Sequence, residues 1–383
     1  MIGLDFSLEA REALEYLRGK GFKLSFDYNE MESIAHHKAF TAAKVMRLDL
    51  LNDIFESIES AMSEGKGFKQ FQKELKPTLM KKGWWGEQDI VNPKTGEVKT
   101  INIGSRRLKT IYYTNMRVAY NVGRYKQMME LPVSVYWRYS ALMDSRTRKS
   151  HAAIHGVVLH RDNAFWRENY PPNGWFCRCK VRAYSRSQVE KKGWSVSEKV
   201  SGIADKDWAY DVGAGAKVGK LSKIDLDNSL DGLQSVKSIK KSTYADMSEN
   251  ELKKSFYDTL GVAEGAMFID KIGDPMIVDD ELFKSASGHS KITKQDRALY
   301  IDEIAKTIAE PDEIYIEWDA ENKRLLKKMF RYYKTEEDAK RATTAMFKYE
   351  DDKTIGVTGY FVKGSGQVEG RRKVKLIYQK EQG

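Results

Sequence analysis

Two histidines and two cysteines are the residues best placed to act together. His151 and His155 stand four apart in "DSRTRKSHAAIHG" (144–156). Asp144 suits an N-cap there and Gly156 a helix stop. On a helix, a spacing of four puts both imidazoles on one face. Cys177 and Cys179 are the only cysteines in the chain and alternate in "CRCKVRAY". That run reads as a strand, in which residues two apart point the same way. Two imidazoles facing two thiolates make a common tetrahedral set for structural Zn2+. Such an ion would hold together a loop-rich region with little core of its own. The same residues also admit a plainer reading, with two small buried apolar thiols and two surface imidazoles.

These residues need elements to position them. Hydrophobic residues make up 41% of the 383 and charged residues 31%, enough for two or three domains with cores of their own. No run of 18 apolar residues is present, so no membrane span is expected. The N-terminal stretch lacks the basic start and apolar run of a secretory signal. Two cysteines cannot form a disulfide framework for this length, which points to synthesis in a reducing cytoplasm. The net charge of +10 is uneven: residues 1–245 carry 41 basic against 28 acidic groups, residues 246–383 carry 24 against 27. A basic first part suits phosphate backbones or an acidic partner, and equally a solvated surface.

Apolar spacing predicts helices over 8–19, 29–64 and 105–130, with another from about 66 to Gly83. Residues 86–102 read as a loop with a turn at "NPKTGE". A β-like run follows Pro132. Residues 213–245 are rich in Ser, Gly, Lys and Asp and are expected to be a linker. Beyond it, two helical segments and several β-like runs predict a small domain with an antiparallel sheet. The expected class is α+β: a long helical N-terminal arm (1–131), a small α+β core with the His/Cys cluster (132–212), the linker (213–245), and a C-terminal α+β domain (246–383).

The segment "DSRTRKSHAAIHGVVLHRDNAFWRENYPPNGWFCRCKV" (144–181) closely resembles the signature of the phage Mu F-type head-morphogenesis (minor head protein) family. Asp144, Arg146, Thr147, Arg148, His151, Gly156, Asp162, Trp166, Pro171 to Trp175, Cys177, Arg178 and Cys179 carry the match, which extends over about 30–212. The resemblance implies a minor capsid protein of a tailed phage or prophage. It would be made in the host cytoplasm and carried in the virion, inside the head or at the portal vertex. Its partners would be portal and capsid proteins, with contact to packaged DNA. Some members carry C-x-x-C where this chain has Arg148 to His151. That implies His151, Cys177 and Cys179 as metal ligands and leaves the fourth open, with His155 the nearest replacement by spacing.

The C-terminal segments "SGHSKITKQDRALYIDEIAKTIAEPDEIYIEW" and "RRKVKLIY" resemble the phage-associated branch of the barnase, EndoU, colicin E5/D and RelE superfamily of ribonucleases. Such domains occur fused behind Mu F-like head domains, which look like vehicles for a toxin. The resemblance implies cleavage of RNA without a metal, by attack of the 2'-hydroxyl on the adjacent phosphate. The candidates by residue type are His289 for proton transfer, Lys291, Arg297 and Arg371 for phosphate charge, and Tyr332, Thr358 and Tyr360 on strands. Tyrosines and threonine suit sheet positions by propensity alone. The alternative is a purely structural head protein whose C-terminal domain is inert and binds capsid or DNA.

Overall fold

The computed structural model describes residues 6–31, 35–133, 135–217, 221–224, 244, 246–285, 287–294, 297–333, 341–350, 353–362 and 365–381. Most of the expected linker, 218–220 and 225–243, therefore lies outside the described residues.

The N-terminal part comprises α1 (Phe6–Arg18), β1 (Gly21–Phe22), α2 (Ala35–Lys38), β2 (Ala39–Phe40), α3 (Leu48–Ser63), α4 (Phe68–Lys81), the hairpin β3 (Gly86–Val91) and β4 (Val98–Ile103), and α5 (Ser105–Glu130). The single helix expected over 29–64 is broken. A 3-10 turn covers Tyr28–Glu30, α2 is one turn long, and β2 pairs in parallel with β1. The cause is tertiary. Phe40 is drawn into the core against Phe22 and Phe55, with ring centroids 6.0 and 5.2 Å away, and Lys44 turns the chain at φ 64°. Local periodicity does not report such pairings. The expected loop at 86–102 is instead a ladder around a turn in which Asn92 Oδ1 accepts from Lys94 N. Helix α1 crosses α5 at Gly123, where a Cβ would lie 2.9 Å from Ala13 N.

The middle part holds β5 (Tyr136–Ser140), α6 (Lys149–Ala153), β6 (Val158–His160), α7 (Trp166–Asn169), β7 (Lys180–Tyr184) and α8 (Arg186–Lys191). Its sheet has the order β6-β5-β7, antiparallel throughout. The core there gathers Trp137, Tyr139, Trp166, Tyr170 and Trp208 with Val122 and Tyr125 of α5.

The C-terminal part runs α9 (Glu249–Leu260), β8 (Met267–Ile269), β9 (Pro275–Ile277), α10 (Ile301–Ala309), β10 (Glu313–Asp319), β11 (Arg324–Tyr333), β12 (Arg341–Glu350), β13 (Lys353–Val362), α11 (Ser365–Arg371) and β14 (Lys375–Gln379). Ser248 and Glu251 form a capping box for α9, and Gly261 ends it at φ 79°. The seven-stranded sheet has the order β14-β10-β11-β12-β13-β9-β8 and is antiparallel except for the β13–β9 pair. One face, with Ile314, Ile316, Met329 and Phe347, packs toward α9 and α10. The other carries Tyr315, Phe330, Tyr332 and Val362, covered by Val368 of α11 and by Ile224.

The apolar core of the helical arm is continuous with that of the C-terminal sheet. Leu24 N donates to Ile272 O at 2.7 Å. Lys375 Nζ lies 3.7 and 4.5 Å from the ring centroids of Phe55 and Phe22. A Cβ at Gly21 would meet the Ile377 carbonyl. No described helix is long and apolar enough to cross a membrane.

Candidate functional site

His151 is presented by α6, which opens at Arg148 and closes at Ile154. The Arg148 guanidinium donates to Trp175 O (3.0 Å) and Asp205 (3.2 Å), tying the helix to the cysteine loop. That loop is fixed from beneath. Asn173 is fully buried, and its amide donates to Tyr139 OH (3.1 Å) and Asn169 O (3.0 Å). The Pro171–Pro172 peptide is cis, and Phe176 adopts φ 61°. A side chain at Gly174 would collide with the Asp205 carboxylate and lie 3.0 Å from the Arg148 guanidinium.

Both cysteines precede β7 instead of lying within it, so strand alternation is not what aligns them. The loop does. Cys177 Sγ and Cys179 Sγ stand 3.7 and 3.5 Å from His151 Nδ1, all three residues are buried, and the three donor atoms lie within 4.8 Å of one another. This is a triad able to hold a metal ion. A hydrogen bond from Cys179 holds the Cys177 thiol well below its ordinary range. The same bond, with burial and the Cys177 charge, pushes Cys179 up. His151 Nε2 is buried without a hydrogen-bond partner among the described residues.

His155 is not brought to this cluster. Helix α6 ends at Ala153, so the four-residue spacing no longer shares a face. The ring is exposed, with Nδ1 within 3.2 Å of the Ala141 backbone. Nor does Asp144 cap the helix. It pairs with Arg178 (Nη1 to Oδ2, 2.7 Å), the residue between the cysteines, and accepts from Arg146 N at 3.0 Å. The Arg178 hydrogen bond holds the Asp144 carboxyl well below the usual carboxylate range.

In the C-terminal domain the candidates fall into separate places. Lys291 Nζ donates to Val357 O (2.7 Å), and Arg297 Nε donates to Gly359 O (2.8 Å), so both flank Thr358 on β13. Burial lowers the pKa of Lys291, and Arg297 nearby adds to the effect. Two residues along β13, Tyr360 OH accepts from Arg371 Nε at 2.8 Å. His289 sits in an exposed loop, its Nδ1 3.0 Å from Ser287 Oγ.

Tyr332 lies apart from these, buried, with its hydroxyl donated to Glu313. It belongs to a polar cluster that sequence reasoning missed. Arg372 is 1% exposed and grips Glu313 with two 2.9 Å bonds from Nε and Nη2. Tyr315 OH donates to the same carboxylate at 2.8 Å. Ile224 closes the cluster, its N donating to Glu313 and its O accepting from Arg372, both at 2.6 Å. The signal in sequence was the alternation of Glu313 and Tyr315 along β10, which sends both to one face.

Residues 52–182 match the family model described as Phage Mu protein F like protein. Residues 251–379 match the one described as phage-Barnase-EndoU-ColicinE5/D-RelE like nuclease2. Protein F of Escherichia phage Mu, named for capsid assembly, is 44% identical over 216 residues, covering 56% of this chain and 48% of that protein. The Mu-like prophage FluMu F protein of Haemophilus influenzae is 40% identical over 196 residues, covering 48% of this chain and 46% of that protein. The chain thus spans about half the length of the curated relatives it matches. No solved structure matches it significantly.

Proposed function

We propose that the chain acts in capsid assembly of a Mu-like phage or prophage as a minor head protein at the portal vertex, with a C-terminal domain that cleaves RNA without a metal. The 44% identity to Mu protein F carries the first part. The triad lies within the family match, at His151, Cys177 and Cys179. Zinc–sulfur bonds of about 2.3 Å and zinc–nitrogen bonds of about 2.0–2.1 Å at tetrahedral angles put S and N about 3.6 Å apart. The observed 3.5 and 3.7 Å fit that spacing. These three residues would hold zinc as a structural ion that pins the cysteine loop to α6, with the fourth position open to a ligand other than His155.

The nuclease reading is supported by the family match over 251–379 and by the polar groups gathered along β13. The RNA 2'-oxygen would attack phosphorus, forming a cyclic phosphate and releasing the 5'-oxygen with a proton. Arg371 would offset phosphate charge beside Tyr360, and the exposed His289 imidazole is the residue suited to move the proton. Lys291 and Arg297, bonded to carbonyls on either side of Thr358, would position that strand. One observation favours the alternative of an inert domain that binds capsid or DNA: its apolar core is continuous with the arm's.

The test uses the full chain, because cutting at the linker would expose that core. Purified protein is incubated with total RNA in EDTA, alongside His289→Ala and Arg371→Ala. Cleavage by the native chain that weakens in the variants is expected. Intact RNA in every lane, from folded protein, leaves the structural alternative.

A further inference from the structure

A cavity of about 460 Å³ opens between the helical arm and the cysteine loop. Its walls include Lys20, Tyr28, His36, Arg107, Ile111 and Trp175. The volume falls in the roughly 300–1,000 Å³ range of small-molecule sites.

Among the described residues, Lys20 and Arg107 are held by backbone carbonyls and not by carboxylates. Lys20 is 6% exposed, and its ammonium has one described oxygen partner, the His36 carbonyl at 2.6 Å. No carboxylate pairs with Lys20 among the described residues. A buried lysine without an anion is costly to keep charged. Arg107 is held by the Ala43 carbonyl and by stacking over Trp84, 5.7 Å from its centroid, which leaves its Nε buried with no partner among the described residues. His36 Nε2 is likewise buried and unpartnered. The acidic residue on the same wall, Asp27, is engaged elsewhere, at 2.5 Å from Lys44 and 3.5 Å from Lys99. The remaining wall mixes polar side chains, among them Arg106, Asn102 and Thr114, with aromatic and apolar ones. Tyr28 stacks on His36 at 4.2 Å and meets Trp175 edge-on at 5.0 Å.

We propose that this cavity binds a phosphate monoester borne on a planar organic group, of mononucleotide size, with Lys20 and Arg107 as the partners of the phosphate. A doubly charged phosphate matches two cations that have no carboxylate partner among the described residues, and the forked Arg107 donors suit its oxygens. The rings of Tyr28 and Trp175 offer the planar group an apolar surface. Burial lowers Lys20 to about 7, so an anion in the cavity would restore its charge. Trp175 comes from the same loop as the two cysteines, so occupancy of the cavity bears directly on the cluster's support.

The experiment titrates adenosine monophosphate into the full chain by calorimetry, with adenosine and orthophosphate as separate arms. Saturable binding of the monophosphate is expected, with each half-molecule at least tenfold weaker. Lys20→Met and Arg107→Gln should each weaken it at least tenfold. The half-buried Arg107 keeps the test open if Lys20→Met fails to fold by circular dichroism. The proposal is overturned by no binding at millimolar monophosphate, by equal affinity for adenosine or orthophosphate alone, or by undiminished binding in the folded variants.

Discussion

The two regions with candidate chemistry are built in opposite ways. In the middle part, a loop brings two buried sulfurs against the His151 imidazole of α6. In the C-terminal domain the cationic and hydroxyl groups are spread along β13 and its flanks, and several are already committed to other groups. Lys291 and Arg297 hold carbonyls, and Tyr332 is committed to Glu313. On the proposed readings, the first site would act through its own geometry, and the second would need a substrate to give its groups a common target. A triad can be recognised from one chain at rest. On the proposed phosphate-cleaving face the groups to test are His289, beside Ser287 Oγ, and the hydrogen-bonded Arg371–Tyr360 pair.

The contrast breaks first at the triad, where the largest effect is expected. Native protein should carry about one zinc per chain by elemental analysis, and Cys177→Ser or His151→Ala should bring that near zero. His155→Ala should leave it unchanged. Zinc retained without His151, or lost without His155, would reverse the assignment made from the geometry. Structural zinc sites supply folding energy on the order of 10 kcal/mol in small domains, so the metal-free variants should also melt earlier.

The next effect sharpens the C-terminal side. Glu313→Ala leaves Arg372 with the half-exposed Glu369 as its carboxylate partner, so the loss should fall at the lower end of the range for broken buried pairs, about 3 kcal/mol. Urea unfolding should show that loss, and Glu313→Ala combined with Arg372→Met should recover much of it. A loss under about 1 kcal/mol would mean the cluster is not holding α11 and Ile224 to the sheet. Below that comes His289→Ala. Removing a general acid or base costs about 10²-fold or more in rate, roughly 2.7 kcal/mol of barrier. An exposed loop substitution should change stability by no more than about 0.5 kcal/mol. Lost cleavage with lost stability would mark His289 as structural.

How far the sequence alone reached follows the same division. The grouping of His151 with Cys177 and Cys179 was legible because few residue types ligate metals and the family resemblance points to the same three positions. The route was not. Alternation on a strand was expected, whereas a loop with Phe176 in the left-handed region aligns the sulfurs, and the helix ends too soon to carry His155. Helices α4, α5 and α9 and the later strands follow their apolar periods. Where the expectation failed, over 29–64, Phe40 pairs with residues distant in sequence, which no local period reports. Glu313, Tyr315 and Lys20 went unnoticed for a related reason. A buried charge looks like a surface charge in sequence until the fold removes its water.

The smallest expected effect is at Asp144, and it tests whether the triad depends on its surroundings. Asp144 grips Arg178 between the two cysteines, so it would act on a bound metal through the loop. Asp144→Asn should keep zinc stoichiometry at pH 7 while speeding zinc transfer to a chelator by less than about tenfold, the lower end for groups that orient ligands. The pH dependence has a fixed sign. The folded-state pKa of Asp144 is depressed by Arg178, so its stabilisation is full above the ordinary aspartate value, about 3.9. It is lost as pH falls through the depressed folded value. The gap in melting temperature between native and Asp144→Asn protein should therefore be constant from neutral pH down to about pH 5 and should close in stronger acid. A gap that widens in acid would mean Arg178 does not stabilise the ionised carboxylate, and the loop would then owe its shape to Asn173 and Arg148 alone.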